Sequence, residues 1–279
     1  VAILFALGSA FFYGVADFVG GLLSRWADPT TIALIGQFGA LLLSLAAAPF
    51  FPAPSVELAD LIWGAVSGIG TGMGMVFLYR GLSHGSMSVV VPFVAVGGTA
   101  LPVLIGVTVL GDRPTVPAWL GIVLAIPALW LISVTKNGPQ GSRAAGTLDA
   151  LFSSIGIALQ YIALAQAGAE AGLWPIVAGR VAAALAILPL ARPSSAKLRG
   201  IGTRTVLAAA LTGGMAALAL TLYMLAAQLQ LMSIAVVLSS LYPVLPVVLG
   251  ITVLGERLTV RQLVGLLSAG AAVGLITWS

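Results

Sequence analysis

The 279-residue chain has no cysteine and a single histidine, His84. Disulfides, thiolate catalysis and cysteine metal sites are thereby excluded, and so is a metal centre built from several histidines. Charge is almost as scarce. Only 7% of the residues are Asp, Glu, Lys or Arg, where soluble domains carry about 25%. Hydrophobic residues make up 60%, and the mean hydropathy is +1.13. A water-soluble fold of this length cannot cover its surface with so few charges. The composition specifies an integral membrane protein. The net charge of +4 is small, and its placement matters more than its sum; no nucleic-acid partner is expected.

What the chain does have is long apolar runs. A spanning helix needs about 20 mostly apolar residues. Turn signals such as Asp28-Pro29, Pro52 to Pro54 and Asp112 to Pro114 divide the chain into ten such stretches. They cover residues 1–24, 31–51, 58–82, 86–110, 115–134, 147–167, 172–191, 203–228, 231–253 and 258–278. The run from Val1 to Leu23 is too long for a signal-peptide core and lacks a clear cleavage pattern. It is read as the first span.

The same unit occurs twice. Leu101 to Arg113 reads LPVLIGVTVLGDR and Leu245 to Arg257 reads LPVVLGITVLGER, an offset of 245 − 101 = 144. Nine of the 13 positions are identical. The match continues through Thr115/Thr259, Val116/Val260 and Gly121/Gly265. An internal repeat of this length has to be read before anything else. Five spans per repeat is an odd number, so the second repeat enters the bilayer from the opposite face. The expected domains are a first five-helix repeat over 1–134, a tether over 135–146 and a second, inverted repeat over 147–279. Inverted repeats that meet near the midplane are a common transporter architecture.

Positive residues set the orientation. Arg25, Arg80, Lys136, Arg143, Arg192, Lys197, Arg199, Arg204, Arg257 and Arg261 lie in or beside the odd-numbered connections, against Arg113 in an even one and Arg180 inside a span. Cytoplasmic loops collect Lys and Arg. The odd connections are therefore expected in the cytoplasm, with both termini outside.

The second repeat also carries a family pattern. Ser233, Pro243, the run Leu254-Gly255-Glu256-Arg257-Leu258-Thr259 and Gly265 resemble the signature half of EamA-type carriers of the drug/metabolite transporter superfamily. The first half has a weaker copy, Leu110-Gly111-Asp112-Arg113-Pro114-Thr115. Asp112 for Glu is a departure, and Gln37 stands where the repeat offset (180 − 37 = 143) puts Arg180 in the second half. The resemblance implies an all-α integral membrane fold of ten transmembrane helices, two inverted five-helix repeats around a central cavity. It implies export of small metabolites across a bacterial inner membrane. The general look is similar to the YddG-type exporters of aromatic and other amino acids.

Several residues stand out for chemistry. Asp17 is the acidic residue deep in a span, and an intramembrane carboxylate is a functional candidate by default. Tyr13 lies one turn away on the same face. Asp17 maps onto Gln160 at the same offset, 160 − 17 = 143, so both halves place a polar group at matching depth. The alternative is a hydrogen-bonded Asp that packs helices together. Arg180 fits a substrate carboxylate, an ion pair with Asp17, or a side chain that snorkels to the headgroups. The third span reads Gly68-Ile69-Gly70-Thr71-Gly72-Met73-Gly74. Its bare faces suit close helix packing or leave room for a ligand beside Thr71. Prolines mark the fourth and ninth spans: Pro92, Pro102, Pro243 and Pro246. Each removes a backbone donor and frees a carbonyl four residues earlier, including those of Ser88 and Tyr242. They are read as gating bends or as static kinks. Among the aromatics, Trp63, Tyr79 and Trp174 fit interfacial anchors. Tyr13, Tyr161 and Tyr242 lie further inside and, with Ser239 and Gln160, are expected at the cavity. Glu256 and Asp112 are expected to cap the helix that follows each of them, with Thr259 and Thr115 near its start.

The resulting expectation is a secondary transporter that exports small metabolites, foremost neutral amino acids, by alternating access. It needs no cofactor, and two complete repeats make a monomer sufficient. A multidrug exporter of the same fold is the alternative. An intramembrane enzyme needs paired acids, a catalytic His or a metal site, and a channel needs a repeated polar filter. Neither pattern is present in the sequence.

Overall fold

The computed structural model describes residues 1–105, 115–133, 140–191, 202–229 and 241–277. Among the described residues there are helices and turns and no strand. The helices are α1 (Ala2–Trp26), α2 (Pro29–Ala47), α3 (Leu58–His84), α4 (Met87–Ile105), α5 (Val116–Ser133), α6 (Gln140–Leu164), α7 (Trp174–Ile187), α8 (Thr203–Leu229), α9 (Val244–Thr252) and α10 (Val260–Thr277). Among the described residues, five stretches are long and apolar enough to cross a bilayer: Ala2–Trp26, Pro29–Phe50, Leu58–His84, Gly146–Leu164 and Thr203–Tyr223. Met87–Gly98, Trp119–Ala128, Trp174–Ile187 and Val260–Leu275 are shorter apolar helical stretches. Their outer sides carry exposed Leu4, Leu42, Ile126 and Leu267, a surface suited to lipid and not to water.

Polar residues at the ends explain where several helices start. Asp28 caps α2: its Oδ2 accepts from the Thr31 N–H and hydroxyl, both at 2.9 Å, with Pro29 as the first helical residue. Thr259 and Gln262 form a reciprocal cap at α10. The Thr259 N–H donates to Gln262 Oε1 at 2.9 Å and the Gln262 N–H to Thr259 Oγ1 at 3.3 Å. The turn before it holds Gly255 at φ +65°, a left-handed conformation that glycine adopts without strain. α6 begins at Gln140, inside the stretch expected as a tether.

The proline-rich segments differ from one another. Pro92 and Pro102 lie within a continuous α4. Pro243 and Pro246 do not interrupt a helix: Pro243 is the N-cap residue of α9 and Pro246 falls in its first turn, where the N–H has no helical partner to lose. Leu241 to Pro243 form a turn. The Tyr242 carbonyl lies against Gly14 of α1.

Helix packing is glycine-mediated and follows one pattern in both halves. α3 packs between α6 and α7, and α8 packs against α1 and α2. Gly179 of α7 lies on Gly64 and Gly68 of α3, and Gly36 of α2 lies on Ala209 and Gly213 of α8. Gly36 and Gly179 are 143 apart; Gly64 and Ala209, and Gly68 and Gly213, are each 145 apart. A Cβ on Gly68 would overlap the Gly179 carbonyl, and one on Gly213 the Gly36 carbonyl. α2 also meets α7, and α5 meets α10.

Candidate functional site

The polar interior is assembled from α1, α2, α3, α6 and α7. The bare backbone of α3 brings α6 close enough for direct contacts. Ser67 Oγ donates to the Gln160 carbonyl at 2.9 Å, and Thr71 Oγ1 stands 2.9 Å from Gln160 Oε1 and 3.0 Å from the Ser67 carbonyl. Nearly two turns into α7, Arg180 enters the same region. Its Nη1 donates to Gln37 Oε1 at 3.4 Å, and its buried Nε has no hydrogen-bond partner. Arg180 and Gln37 are the two residues related by the repeat offset, so α2 and α7 touch through equivalent positions.

A cavity runs between these groups, lined by Ser67, Thr71, Gln160, Gly179, Arg180 and Leu220. Its volume is about 10 Å³, the space of a single water. Apolar side chains such as Leu164 and Ile176 close in beside the polar groups, so a solute of amino-acid size enters only if the helices part.

Asp17 is on α1, with 8% of its surface exposed. Tyr13, Tyr79, Tyr161 and Tyr242 are within its electrostatic reach. The rings of Tyr13 and Tyr242 are 6.0 Å apart and tilted by 54°. Tyr13 is also within reach of Arg180. Among the described residues the ion pairs are Arg25–Glu256 and Arg80–Asp149. Asp17 and Arg180 are therefore both buried and form no ion pair with each other. Arg180 at 7% exposure does not snorkel.

Of the residues singled out by sequence, Thr71, Gln160 and Arg180 meet at the cavity, and Tyr13, Asp17 and Tyr242 form a neighbouring group. Tyr161 belongs to that group electrostatically, and 47% of its surface is exposed. Ser239 and the side chain of Pro102 lie outside the described residues. Trp63 and Trp174 are partly exposed, whereas Tyr79, expected as an anchor with them, is buried. It is 2% exposed and its hydroxyl end packs on Gly20 of α1.

Two partners were not foreseen. Gln37 stands in the sequence as a departure from the second half, and the structure pairs it with Arg180, 143 residues on. Glu256 does not cap α10. Its Oε1 accepts from the Met87 N–H at 2.9 Å, and its Oε2 from the Ser88 N–H at 3.0 Å and the Ser88 hydroxyl at 2.7 Å. It thus caps α4, and Arg25 Nη2 pairs with it at 3.2 Å. The role expected of Glu256 at α10 is taken by Gln262 and Thr259. At this end of the molecule a polar cleft of about 630 Å³ is lined by Ser24, Arg25, Asp28, Arg80, Ser83 and His84. Both arginines in it already have carboxylate partners.

Apolar helices packed around a buried polar cluster narrow the class, and comparison with known proteins narrows it further. Residues 1–134 match the EamA-like transporter family. The EamA match covers just under half of the chain and supports a membrane transporter of small molecules. An uncharacterised protein of Methanocaldococcus jannaschii is 26% identical over 135 residues, which are 48% of this chain and 98% of that protein. That relative is thus about the length of one EamA unit. A solved crystal structure superposes with a TM-score of 0.59 at 20% identity, over 98% of this chain and 96% of its own. At that identity the likeness is one of fold alone.

Proposed function

We propose that the protein is a secondary transporter that exports small zwitterions, foremost neutral amino acids, from a bacterial cell through its inner membrane. The two EamA-like units, 1–134 and 147–279, are read as inverted repeats that rock about a midplane site. The matched packing of Gly36 on α8 and Gly179 on α3 supports this reading, as does the Arg180–Gln37 contact between equivalent positions. The half-length relative supports a five-helix unit as the building block.

One observation carries the substrate class. The interior holds a carboxylate, Asp17, and a guanidinium, Arg180, that are buried without pairing, with Tyr13 in reach of both. A buried charge without a partner is costly. A zwitterion compensates both: its ammonium faces Asp17, and its carboxylate meets the unpartnered Nε–H of Arg180. Tyr13, Tyr161 and Tyr242 offer ring faces to the side chain. Thr71 and Gln160 complete the polar lining, and the walls part at the proline-bearing segments, Pro92 and Pro102 in α4 and Pro243 and Pro246 at the start of α9.

The test is uptake of labelled amino acids by proteoliposomes, with and without a pH gradient. Wild type is expected to show saturable uptake. Arg180→Gln removes a charge-assisted contact and is expected to weaken transport at least ~10-fold, while the amine analogue that lacks the carboxylate loses its disadvantage. Asp17→Asn is expected to abolish gradient-driven accumulation. Absence of amino-acid uptake, together with efflux of bulky cationic drugs, overturns the amino-acid reading in favour of a multidrug exporter.

A further inference from the structure

We propose that the Glu256 carboxylate is a latch that holds the arginine-bearing end of the protein closed, and that this end opens by releasing it. The proposal rests on the alternating-access reading above, but its test does not use transport.

Glu256 lies in the turn between α9 and α10, in the second half. Everything it grips belongs to the first half. It takes the two leading N–H groups of α4, from Met87 and Ser88, and the Ser88 hydroxyl. It also takes the Arg25 guanidinium at the end of α1. Arg25 in turn donates to the carbonyls of Leu82 at 3.3 Å and Gly85 at 3.4 Å. One carboxylate therefore fastens the α9–α10 turn to three elements: the end of α1, the end of α3 and the start of α4. A negative charge at a helix N-terminus beside an arginine is held by the dipole and by the pair together.

Three features suit a reversible latch better than a static cap. First, it crosses between the halves, whereas the caps at α2 and α10 use residues of their own segment. Second, water reaches it: Arg25 lines the open polar cleft, and the Arg25 and Glu256 side chains are 28% and 11% exposed. Its broken bonds are therefore taken over by water and not left unmet in lipid. Third, it seals an apolar joint. Met87 is fully buried and its methyl group lies against Gly21 of α1. Withdrawal of the α9–α10 turn frees the start of α4 to leave α1, which exposes Met87. The opposite end of α3 has its own tie between halves: Asp60 Oδ1 accepts from the Gly168 N–H at 2.7 Å. The two ends are fastened by separate groups, so one opens without the other.

The absence of native cysteine makes a direct test possible. Met87→Cys is placed in the full chain, reconstituted in lipid nanodiscs without substrate, and its reaction with a charged maleimide is timed. In an otherwise wild-type background, labelling is expected to be slow. Glu256→Gln keeps an acceptor oxygen but loses the charge, and labelling is expected to accelerate at least ~10-fold. Arg25→Gln leaves the α4 cap in place and is expected to give a smaller acceleration, with no addition when combined with Glu256→Gln. An unchanged labelling rate in Glu256→Gln, or an equal acceleration at a cysteine replacing Ala48 near the other end, overturns the latch. Should Glu256→Gln fail to fold, unchanged labelling in Arg25→Gln overturns it as well. Acceleration without amino-acid uptake leaves the latch standing and removes the substrate reading. Uptake without acceleration does the reverse.

Discussion

At the scale of single residues, the interior is governed by what it costs to bury polar groups in hydrocarbon. Gln160 meets that cost with Ser67 and Thr71. Arg180 meets it only in part through Gln37, and its Nε–H is left without an acceptor. Glycine acts at the same scale. Gly68 and Gly270 are both helical glycines, yet a side chain at Gly68 would overlap the Gly179 backbone and one at Gly270 would meet nothing within 4 Å. Gly68→Ala is therefore expected to lower the detergent melting temperature by several degrees or to abolish folded protein, since overpacking costs about 1–3 kcal/mol or more. Gly270→Ala is expected to leave it unchanged or raised, because alanine is favoured in a helix by up to ~1 kcal/mol. Thermal unfolding of the two variants side by side checks this. Gln37→Leu removes the acceptor of Arg180 and keeps the volume similar. It is expected to reduce apparent substrate affinity several-fold, about the effect of one hydrogen bond to a charged group, while folding is retained.

At the scale of elements, caps decide where segments begin and which neighbours they hold. The α10 cap is local, so Thr259→Ala is expected to cost about 1 kcal/mol. Its effect is confined to stability in thermal unfolding, with no change in thiol accessibility at residue 87. Glu256 is different, because its loss affects a contact between halves. The expected contrast is therefore a Thr259→Ala variant that melts earlier but labels normally, and a Glu256→Gln variant that labels faster. The ninth span shows why proline cannot be interpreted by position alone. Pro92 lies inside α4, whereas Pro243 and Pro246 begin α9 after a turn at Leu241 to Pro243. The sequence identifies the same residue type in both places, and only the neighbours determine whether it bends a helix or starts one.

At the scale of the whole molecule, the charge bias and the helix order make a topological prediction. Ser55 lies in the α2–α3 connection and His84 at the end of α3, at opposite ends of that helix, and both are exposed. Single cysteines at these positions are expected to react from opposite sides. In intact cells Ser55→Cys is expected to be labelled by an impermeant reagent, and His84→Cys only after permeabilisation. The reverse result would place the arginine-bearing end outside. The narrow cavity at Arg180 and the separate ties at Asp60 and Glu256 describe a closed arrangement. On the transport reading proposed above, a substrate enters when the halves move apart at one end.

Composition and periodicity by themselves determined the solvent. With 7% charged residues the chain has to place its surface in lipid, and in lipid each backbone polar group has to be satisfied within helices. The LPV…LGDR and LPV…LGER runs revealed the duplication, because a repeat is a linear property of the chain. Depth within a span likewise marked Asp17, Gln160 and Arg180, since helical rise converts position into distance from the membrane face. Partnership across the fold was decided only by tertiary structure. Glu256 caps α4 because the second half approaches the first there; from sequence, the helix immediately after it was the nearest candidate. Tyr79 reads as an interfacial ring by its place near a span end, and it is buried because Gly20 gives it room on α1. By type and depth Arg180 suits a substrate carboxylate, Asp17 or the headgroups, and the glycine contacts of α7 and α3 set its position so that it reaches a different residue, Gln37. Propensity and hydropathy act along the chain; the pairing of charges depends on which backbones come close, and here glycines on separate segments set that.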